Sequence, residues 1–274
     1  MPSRKQSFER SAIRPRGEGV ICGVGMIVQI YEIQDPWQAE GCIRADVDHI
    51  GSVLISQEQW RLPSVREAMK ASKGTKVKNS LLPLFTDLET LARCLDYYRP
   101  HYVHLCDRLT DHRGIPVALD KISTFQRTLK DKFPQIGIMR TIPIPGPGTA
   151  TGFPSMEIAR ALESSTDLFL IDTWRKEETV EGFIGITGSP ADRGRSRDLV
   201  QESGIPVILA GGLSPENVFE VLVEVRPYGA DSCTHTNQVG QDGRVIRFQK
   251  DFQRVEEFVN EVRRAEKAIK DGLK

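Results

Sequence analysis

Short apolar runs alternate with amphipathic stretches along the chain from about residue 24 onward. Runs such as 168–172 and 206–210 are too short for a helix core and are bounded by turn residues, a pattern typical of strands buried on both faces of a parallel sheet. Between the runs, apolar residues recur every three or four positions, as in Leu88, Leu91 and Leu95, which predicts helices with one buried face. The pattern therefore predicts eight strands, each followed by a helix, at 25–33, 47–55, 77–85, 102–106, 136–142, 168–172, 206–210 and 230–233.

Eight strand-plus-helix units over ~250 residues match the size of a (β/α)8 TIM barrel, an α/β fold. The alternative is a doubly wound open sheet, which needs a glycine-rich fingerprint after its first strand, and the segment Tyr31-Glu32-Ile33 offers none. We therefore predict a single barrel domain over residues 22–274. Residues 1–21 are polar and slightly basic and lack the apolar centre of a signal peptide, so they are predicted to form a disordered tail.

The composition narrows the range of partners and the compartment. Lysine plus arginine equals aspartate plus glutamate, at 37 each, and no basic face shows in the sequence, which argues against a nucleic-acid partner. No apolar run approaches the ~20 residues of a membrane span. The five cysteines are scattered without a CxxC pair, which indicates reduced thiols in a cytoplasmic protein rather than disulfides or a zinc knuckle.

The segment 204–225 joins a buried strand, a glycine pair and a capped helix. Gly211 and Gly212 allow a sharp turn and close approach of a ligand to the backbone, and Ser214 suits the N-cap of the helix that follows. Free N–H groups at such a turn suit a phosphate, although a tight strand-to-helix turn without a ligand has the same pattern. In a barrel this turn would lie at the carboxyl ends of the strands, where active sites are built.

Several motifs resemble those of the phosphoribosylanthranilate isomerase family. The segment around Gly211 reads PVILAGGLSPENV and is followed by VRPYGAD, which resembles the seventh and eighth units of that family. Upstream, FLIDTW and GITGSPAD resemble its sixth strand and the Gly-Thr-Gly loop after it. Near the end, Lys250-Asp251 and the helix FVNEVR resemble its last unit. The resemblance runs from about residue 24 to the end and is more specific in the carboxyl-terminal half.

This resemblance implies an activity. The family performs an Amadori rearrangement, an intramolecular aldose-to-ketose isomerisation of a phosphorylated aminopentose in tryptophan biosynthesis, without a cofactor. The partner implied is a small phosphorylated substrate. The family's general acid is the aspartate that ends strand six, which corresponds to Asp172, and burial would raise the pKa of such a carboxyl toward neutrality.

The chain departs from the family at the position of the general base. The family uses a cysteine at the end of strand one, where this chain has Tyr31, and a tyrosine of pKa ~10 is a poor base near neutral pH. Glu32 is one alternative, although strand alternation directs it to the other face unless the strand end is bulged. Cys106 is another, either as a thiolate at the mouth or as a buried inert thiol.

The resemblance also implies a set of binding residues. Thr234 and His235 stand where the family has a Ser-Ser-Gly phosphate segment; His235 could bind an anion, transfer a proton or lie at the surface of the loop. Arg61 aligns approximately with the family's arginine for the anthranilate carboxylate. The predicted substrate- and phosphate-binding residues are Gly185, Thr187, Gly188, Asp192, Gly211, Gly212, Thr234, His235 and Arg61.

Other readings of the same residues stay open. The arginines of 193–197 form either a solvated salt-bridged face or extra charge for a more anionic ligand. His104, Cys106 and Asp107 could ligate a metal, but core packing is predicted and no metal is expected. The chain could instead be a different isomerase, lyase or aldolase acting on a phosphorylated metabolite, or a catalytically silent barrel that binds one. The sequence does not predict the oligomeric state.

Overall fold

Eight parallel strands close into a barrel in chain order, which confirms the predicted (β/α)8 fold. The computed structural model describes residues 25–149 and 152–273, so the predicted disordered tail lies outside the described residues. The strands are β1 (Ile27–Ile30), β2 (His49–Leu54), β3 (Lys78–Pro83), β4 (Tyr102–Leu105), β5 (Gly137–Pro145), β6 (Leu168–Trp174), β7 (Val207–Leu209) and β8 (Gly229–Ser232). The barrel closes because β8 pairs with β1, with Gln29 opposite Asp231.

Eight helices surround the barrel in the described residues, and several begin at an aspartate that caps the first turn. The helices are α1 (Pro36–Arg44), α2 (Pro63–Ala71), α3 (Leu88–Tyr98), α4 (Leu119–Lys132), α5 (Ser155–Leu162), α6 (Arg193–Glu202), α7 (Val218–Val225) and α8 (Phe252–Lys270). The side chains of Asp35, Asp87 and Asp251 accept backbone N–H groups of the turns that follow them. None of the described helices is long and apolar enough to cross a membrane.

The strands bury both faces, as the apolar runs predicted. Their outward faces pack against the helices in a core that includes Val28, Ile142, Phe169 and Phe258. The interior of the barrel also contains a buried polar chain in which the Tyr31 hydroxyl lies 2.6 Å from His104 Nδ1. Because an aromatic ring fills this space, Gly51 on β2 is required: a Cβ there would overlap the Tyr31 ring.

The structure differs from the predicted elements at two places, at the end of the first strand and between the last barrel strand and the last helix. The first strand was predicted to reach residue 33 but ends at Ile30, because Glu32 adopts a left-handed backbone with φ +65°. Between β8 and α8, where the sequence predicted only a loop, lie a 3-10 turn (Thr234–Thr236) and an antiparallel hairpin of β9 (Asn237–Val239) and β10 (Val245–Lys250). Both departures lie at the barrel mouth, so they shape the cleft described next.

Candidate active site

An open cleft lies at the carboxyl ends of the strands. Its floor is made of inward-facing side chains such as Leu170 and His104, and its rim comes from the loops after β1, β6, β7 and β8 and from the hairpin. The rim residues are 31–32, 172, 186–188, 210–213, 231–235 and 247. The cleft therefore combines most of the residues predicted from the carboxyl-terminal half of the sequence.

Asp172 lies near the end of β6 and faces the cleft. Its Oδ1 accepts the backbone N–H of Thr173 at 2.7 Å. Burial raises the pKa of Asp172 to about 6, against the opposing effect of the N–H groups of Thr173 and Ile186. Gly185 lies directly against this carboxyl: its φ is +87°, and a Cβ there would overlap the Asp172 side chain. Gly185 is thus a packing partner of the predicted acid.

Asp231 on β8 is a second carboxyl in the cleft; it is buried, and the sequence-based predictions do not include it. Its Oδ1 accepts a hydrogen bond of 3.0 Å from Gln29 Nε2. Burial raises the pKa of Asp231 to about 7, the charge of Asp172 adds to the rise, and Gln29 and Lys250 oppose it. The one available signal was an acidic residue inside a predicted buried strand.

Tyr31, which the resemblance aligns with the general base, lines the cleft. Burial raises the pKa of the Tyr31 phenol well above 10, and the charge of Asp231 acts in the same direction. The hydroxyl lies 2.6 Å from His104 Nδ1, and His104 Nε2 lies 2.7 Å from Thr141 Oγ1. Burial also lowers the pKa of His104 to about 3, so this chain of groups is neutral near pH 7.

Cys106 does not reach the cleft. It is buried at the end of β4, and burial raises the pKa of its thiol, with the charge of Asp107 adding to the rise. The thiolate alternative required a lowered pKa, so the geometry favours the inert buried thiol. Cys233 does line the cleft, but burial raises its pKa as well.

Glu32 faces the cleft, contrary to the expectation from strand alternation, because its left-handed backbone turns the side chain inward. Its two oxygens accept hydrogen bonds from Asn237, Arg247 and the backbone N–H of Phe248. Burial alone would raise the pKa of Glu32, but the hydrogen bond from Asn237 and the charge of Arg247 hold it below the ordinary value. Glu32 therefore stays ionised and fully hydrogen-bonded, which favours an anchoring role.

The predicted phosphate side of the cleft is assembled from three loops. Gly211 and Gly212 both have positive φ, and a Cβ on Gly212 would lie 2.8 Å from the Gly188 carbonyl oxygen, so the loops after β6 and β7 pack backbone to backbone. His235 is half-buried and its Nε2 lies 3.2 Å from the same carbonyl oxygen. Among the described residues, the backbone N–H groups of Gly212, Thr234 and His235 donate to no protein acceptor. Thr187 and Thr234 add hydroxyls to this side.

Two predicted binding residues lie elsewhere. Arg61 stacks its guanidinium on the ring of Tyr97, 4.8 Å from the centroid, and does not line the cleft. Asp192 caps α6, where its Oδ1 accepts the Arg195 N–H at 2.9 Å. The arginines that follow Asp192 include Arg193, which pairs with Glu224 at 3.1 Å on the surface. For Arg193, this favours the salt-bridged alternative over a ligand-binding one.

The part of the chain that the structure describes contains no group of three histidine, cysteine, aspartate or glutamate side chains that could hold a metal ion. Of the three residues weighed from the sequence, His104 is hydrogen-bonded through both ring nitrogens and Asp107 pairs with Arg140 at 2.6 Å. The packing alternative is thus the one that these contacts support.

Sequence comparisons give relatives with one name. The chain is 26% identical over 242 residues to the N-(5'-phosphoribosyl)anthranilate isomerase of Methanosarcina acetivorans, which covers 86% of this chain and 92% of the relative. It is 36% identical over 124 residues to isomerase 2 of Methanosarcina mazei, where the match covers 44% of this chain and about half, 51%, of the relative. No family model matches the chain.

Solved structures agree on the fold. The structure of the Pyrococcus furiosus enzyme of the same name aligns with a TM-score of 0.61 at 24% identity, covering 87% of this chain and 99% of that one. A phosphoribosylanthranilate isomerase in complex with reduced 1-(o-carboxyphenylamino)-1-deoxyribulose 5-phosphate aligns with a TM-score of 0.57 at 18% identity, covering 86% and 98%. The chain is therefore a (β/α)8 barrel whose sequence relatives are phosphoribosylanthranilate isomerases, as the motifs of its carboxyl-terminal half indicated.

Proposed function

We propose that this protein is a phosphoribosylanthranilate isomerase of tryptophan biosynthesis, acting on a small phosphorylated substrate. The observation that carries the proposal is the pair of carboxyls, half-buried Asp172 and buried Asp231, that face one cleft at the barrel mouth. An aldose-to-ketose rearrangement needs one group that donates a proton and one that accepts a proton, and two carboxyls with pKa values of about 6 and about 7 can each hold or release a proton near neutral pH.

In the proposed mechanism, Asp172 donates its proton to the ring oxygen of the aminopentose. The bond between that oxygen and C1 breaks, and the nitrogen lone pair forms a C1=N double bond. Asp231 then takes the proton from C2, and the electron pair of that C–H bond forms a C1=C2 enamine as the C1=N bond becomes single. The C2 hydroxyl of this enamine is an enol. It loses its proton while C1 gains one, which gives the aminoketose, so the reaction needs no oxidant, reductant or cofactor.

We assign the base to Asp231 by comparing the groups near the cleft. The Tyr31 hydroxyl is hydrogen-bonded to His104, and its pKa is raised. Both oxygens of Glu32 accept hydrogen bonds, and Cys106 lies outside the cleft. Asp231, in contrast, accepts a hydrogen bond from Gln29 on one oxygen, and within the described residues no protein hydrogen bond reaches the other. A base must be held in place while keeping one oxygen for the substrate, and Asp231 meets both requirements.

We place the substrate phosphate against the backbone N–H groups of Gly212, Thr234 and His235. Three amide donors and the Thr234 hydroxyl supply the hydrogen bonds that a phosphate needs, and the glycine allows close approach. The proposal extends to the chain as a whole, which we take to be a single barrel domain over residues 22–274 of a cytoplasmic protein.

The test is turnover of N-(5'-phosphoribosyl)anthranilate by the purified protein and by Asp172→Asn and Asp231→Asn. Each substitution keeps the shape of the side chain but removes proton transfer, so we expect kcat to fall about 10²- to 10⁴-fold in each. Asp198→Asn, on the exposed face of α6, is the matched control and should leave kcat unchanged.

Absence of turnover in the unaltered protein would overturn the proposed activity. Full activity of Asp231→Asn together with loss in Asp172→Asn would instead overturn only the assignment of the base.

A further inference from the structure

The proposed mechanism gives no role to one positively charged side chain in the cleft. Among the residues that line it in the described ranges, Arg247 is the single lysine or arginine, and it comes from the hairpin rather than from a barrel strand. Its side chain is 46% exposed, whereas that of its partner Glu32 is 2% exposed. Arg247 therefore lies at the rim, with the guanidinium between a buried carboxylate and the open cleft.

Within the described residues, the guanidinium is hydrogen-bonded along one edge, and its face lies over the Phe248 ring, 5.0 Å from the centroid. Its Nε and Nη2 both contact Glu32 Oε1, the former at 2.5 Å. A guanidinium has five N–H donors, and this fork occupies the edge formed by Nε and Nη2. The edge formed by Nη1 and the second N–H of Nη2 stays available for another planar acceptor, and a carboxylate or phosphate fits such a fork in two hydrogen bonds.

The hairpin that carries Arg247 is fixed to the barrel by several independent contacts. Glu32 Oε2 accepts Asn237 Nδ2 at 2.6 Å and the Phe248 N–H at 3.1 Å. Gln38 Nε2 on α1 donates to the Phe248 carbonyl at 2.7 Å. The buried Lys250 donates from Nζ to the Cys233 carbonyl at 2.9 Å. The backbone on either side of Arg247 is thus hydrogen-bonded to Glu32, to α1 and to the loop after β8.

The backbone is strained on both sides of the contact between Glu32 and the hairpin. Glu32 and Phe248 both have left-handed backbones, with φ +65° and +63°, a conformation that disfavours side chains larger than glycine. The hydrogen bond between Glu32 Oε2 and the Phe248 N–H joins these two strained residues directly. Such strain persists where the surroundings over-determine it, and it clusters at ligand-binding sites.

From these contacts we infer that Arg247 binds an oxyanion of the ligand, either its carboxylate or its phosphate, and that Glu32 positions it. The inference rests on the proposed function, since it supplies the anion-binding arginine for which Arg61 was predicted and which the structure places against Tyr97 instead. Arg247 is then a specificity-determining residue that reads the acidic substituent of the substrate.

The test measures dissociation constants for three probes by calorimetry. They are reduced 1-(o-carboxyphenylamino)-1-deoxyribulose 5-phosphate, the same compound without its carboxyl group, and the same compound without its phosphate. We expect Arg247→Met to weaken the full compound about 10- to 100-fold. It should also weaken one truncated compound by the same factor and leave the other unchanged; the unchanged compound is the one that lacks the group bound by Arg247.

The controls separate binding from folding. Arg247→Lys keeps the charge but removes the fork, so it should recover only part of the affinity, and Glu32→Gln should give the same pattern with a smaller loss. Arg244→Met, on the same hairpin but 88% exposed and paired only with Asp242 among the described residues, should bind all three probes like the unaltered protein.

Two results would overturn the role of Arg247 alone: equal weakening of all three compounds in Arg247→Met, or no weakening of any. Failure of the unaltered protein to bind any of the three compounds would overturn the proposed substrate as well, so the two failures are distinguishable.

Discussion

At the scale of single residues, the most informative side chain is Asp231. It lies buried on β8, its carboxyl accepts a hydrogen bond from Gln29, and burial raises its pKa to about 7. A carboxyl in such a place lowers the stability of the folded state whenever it is ionised. Proteins tolerate this arrangement where the group has a task, so its cost in stability is itself support for a catalytic role.

We predict that Asp231→Asn stabilises the protein at alkaline pH. The folded pKa of about 7 lies above the ordinary value of 3.8, so the stability contributed by the protonated form is complete below pH 3.8 and is lost as the pH rises through 7. Asparagine keeps the acceptor for Gln29 without the charge. We expect the variant to gain a few kcal/mol at pH 8 and almost nothing near pH 4.

Thermal melts of both proteins from pH 4 to 8 provide the measurement, with about 2–4 °C expected for each kcal/mol. A difference in Tm that does not change with pH would contradict the raised pKa.

At the scale of secondary-structure elements, the strands and helices of the barrel could be predicted from the sequence, whereas the structure of the barrel mouth could be predicted only in part. The strands at 168–172 and 206–210 could be predicted because their short apolar runs are visible in the sequence alone. The hairpin has a local sequence signal that the predicted elements do not include: Asp242-Gly243, a turn pair, lies between the β-branched residues Val239 and Val245. The pairing of Glu32 with Arg247 had none, because the two residues are 215 positions apart.

The contact between Tyr31, which follows β1, and Gly51 on β2 gives a prediction of its own. Gly51→Ala should lower the free energy of unfolding by at least about 2 kcal/mol, because the new methyl group overlaps the Tyr31 ring. In a Tyr31→Ala background the same substitution should cost less than about 1 kcal/mol, since the ring is gone.

Urea denaturation of the four proteins in this cycle measures the coupling between the two positions. Gly194→Ala is the matched control, because its methyl group would meet the Asp192 carboxylate at an ordinary 3.4 Å on α6. Equal losses from Gly51→Ala in both backgrounds would show that the ring does not set the requirement for glycine.

At the scale of the whole molecule, closure of the barrel joins the two ends of the described chain. β1 and β8 pair along four residues, and the core cluster that includes Met26 also includes Ala265 on the last helix. The loss of one unit would open the sheet and expose that shared core. The barrel is therefore expected to unfold as one cooperative unit.

The three tryptophans allow this expectation to be measured. Trp37 is on α1, Trp60 precedes α2 and Trp174 ends β6, so their fluorescence reports on separate parts of the circuit. We expect the urea midpoints from tryptophan fluorescence and from far-ultraviolet circular dichroism to coincide. Two separate midpoints would contradict the single domain that we propose.

The Tyr31 ring packed over Gly51 also constrains the history of the site. With tyrosine at position 31, any side chain at position 51 meets the ring and lowers the stability, whereas glycine at position 51 avoids the overlap. A change that brings in Tyr31 before Gly51 would therefore pass through a destabilised intermediate, and the opposite order would avoid it.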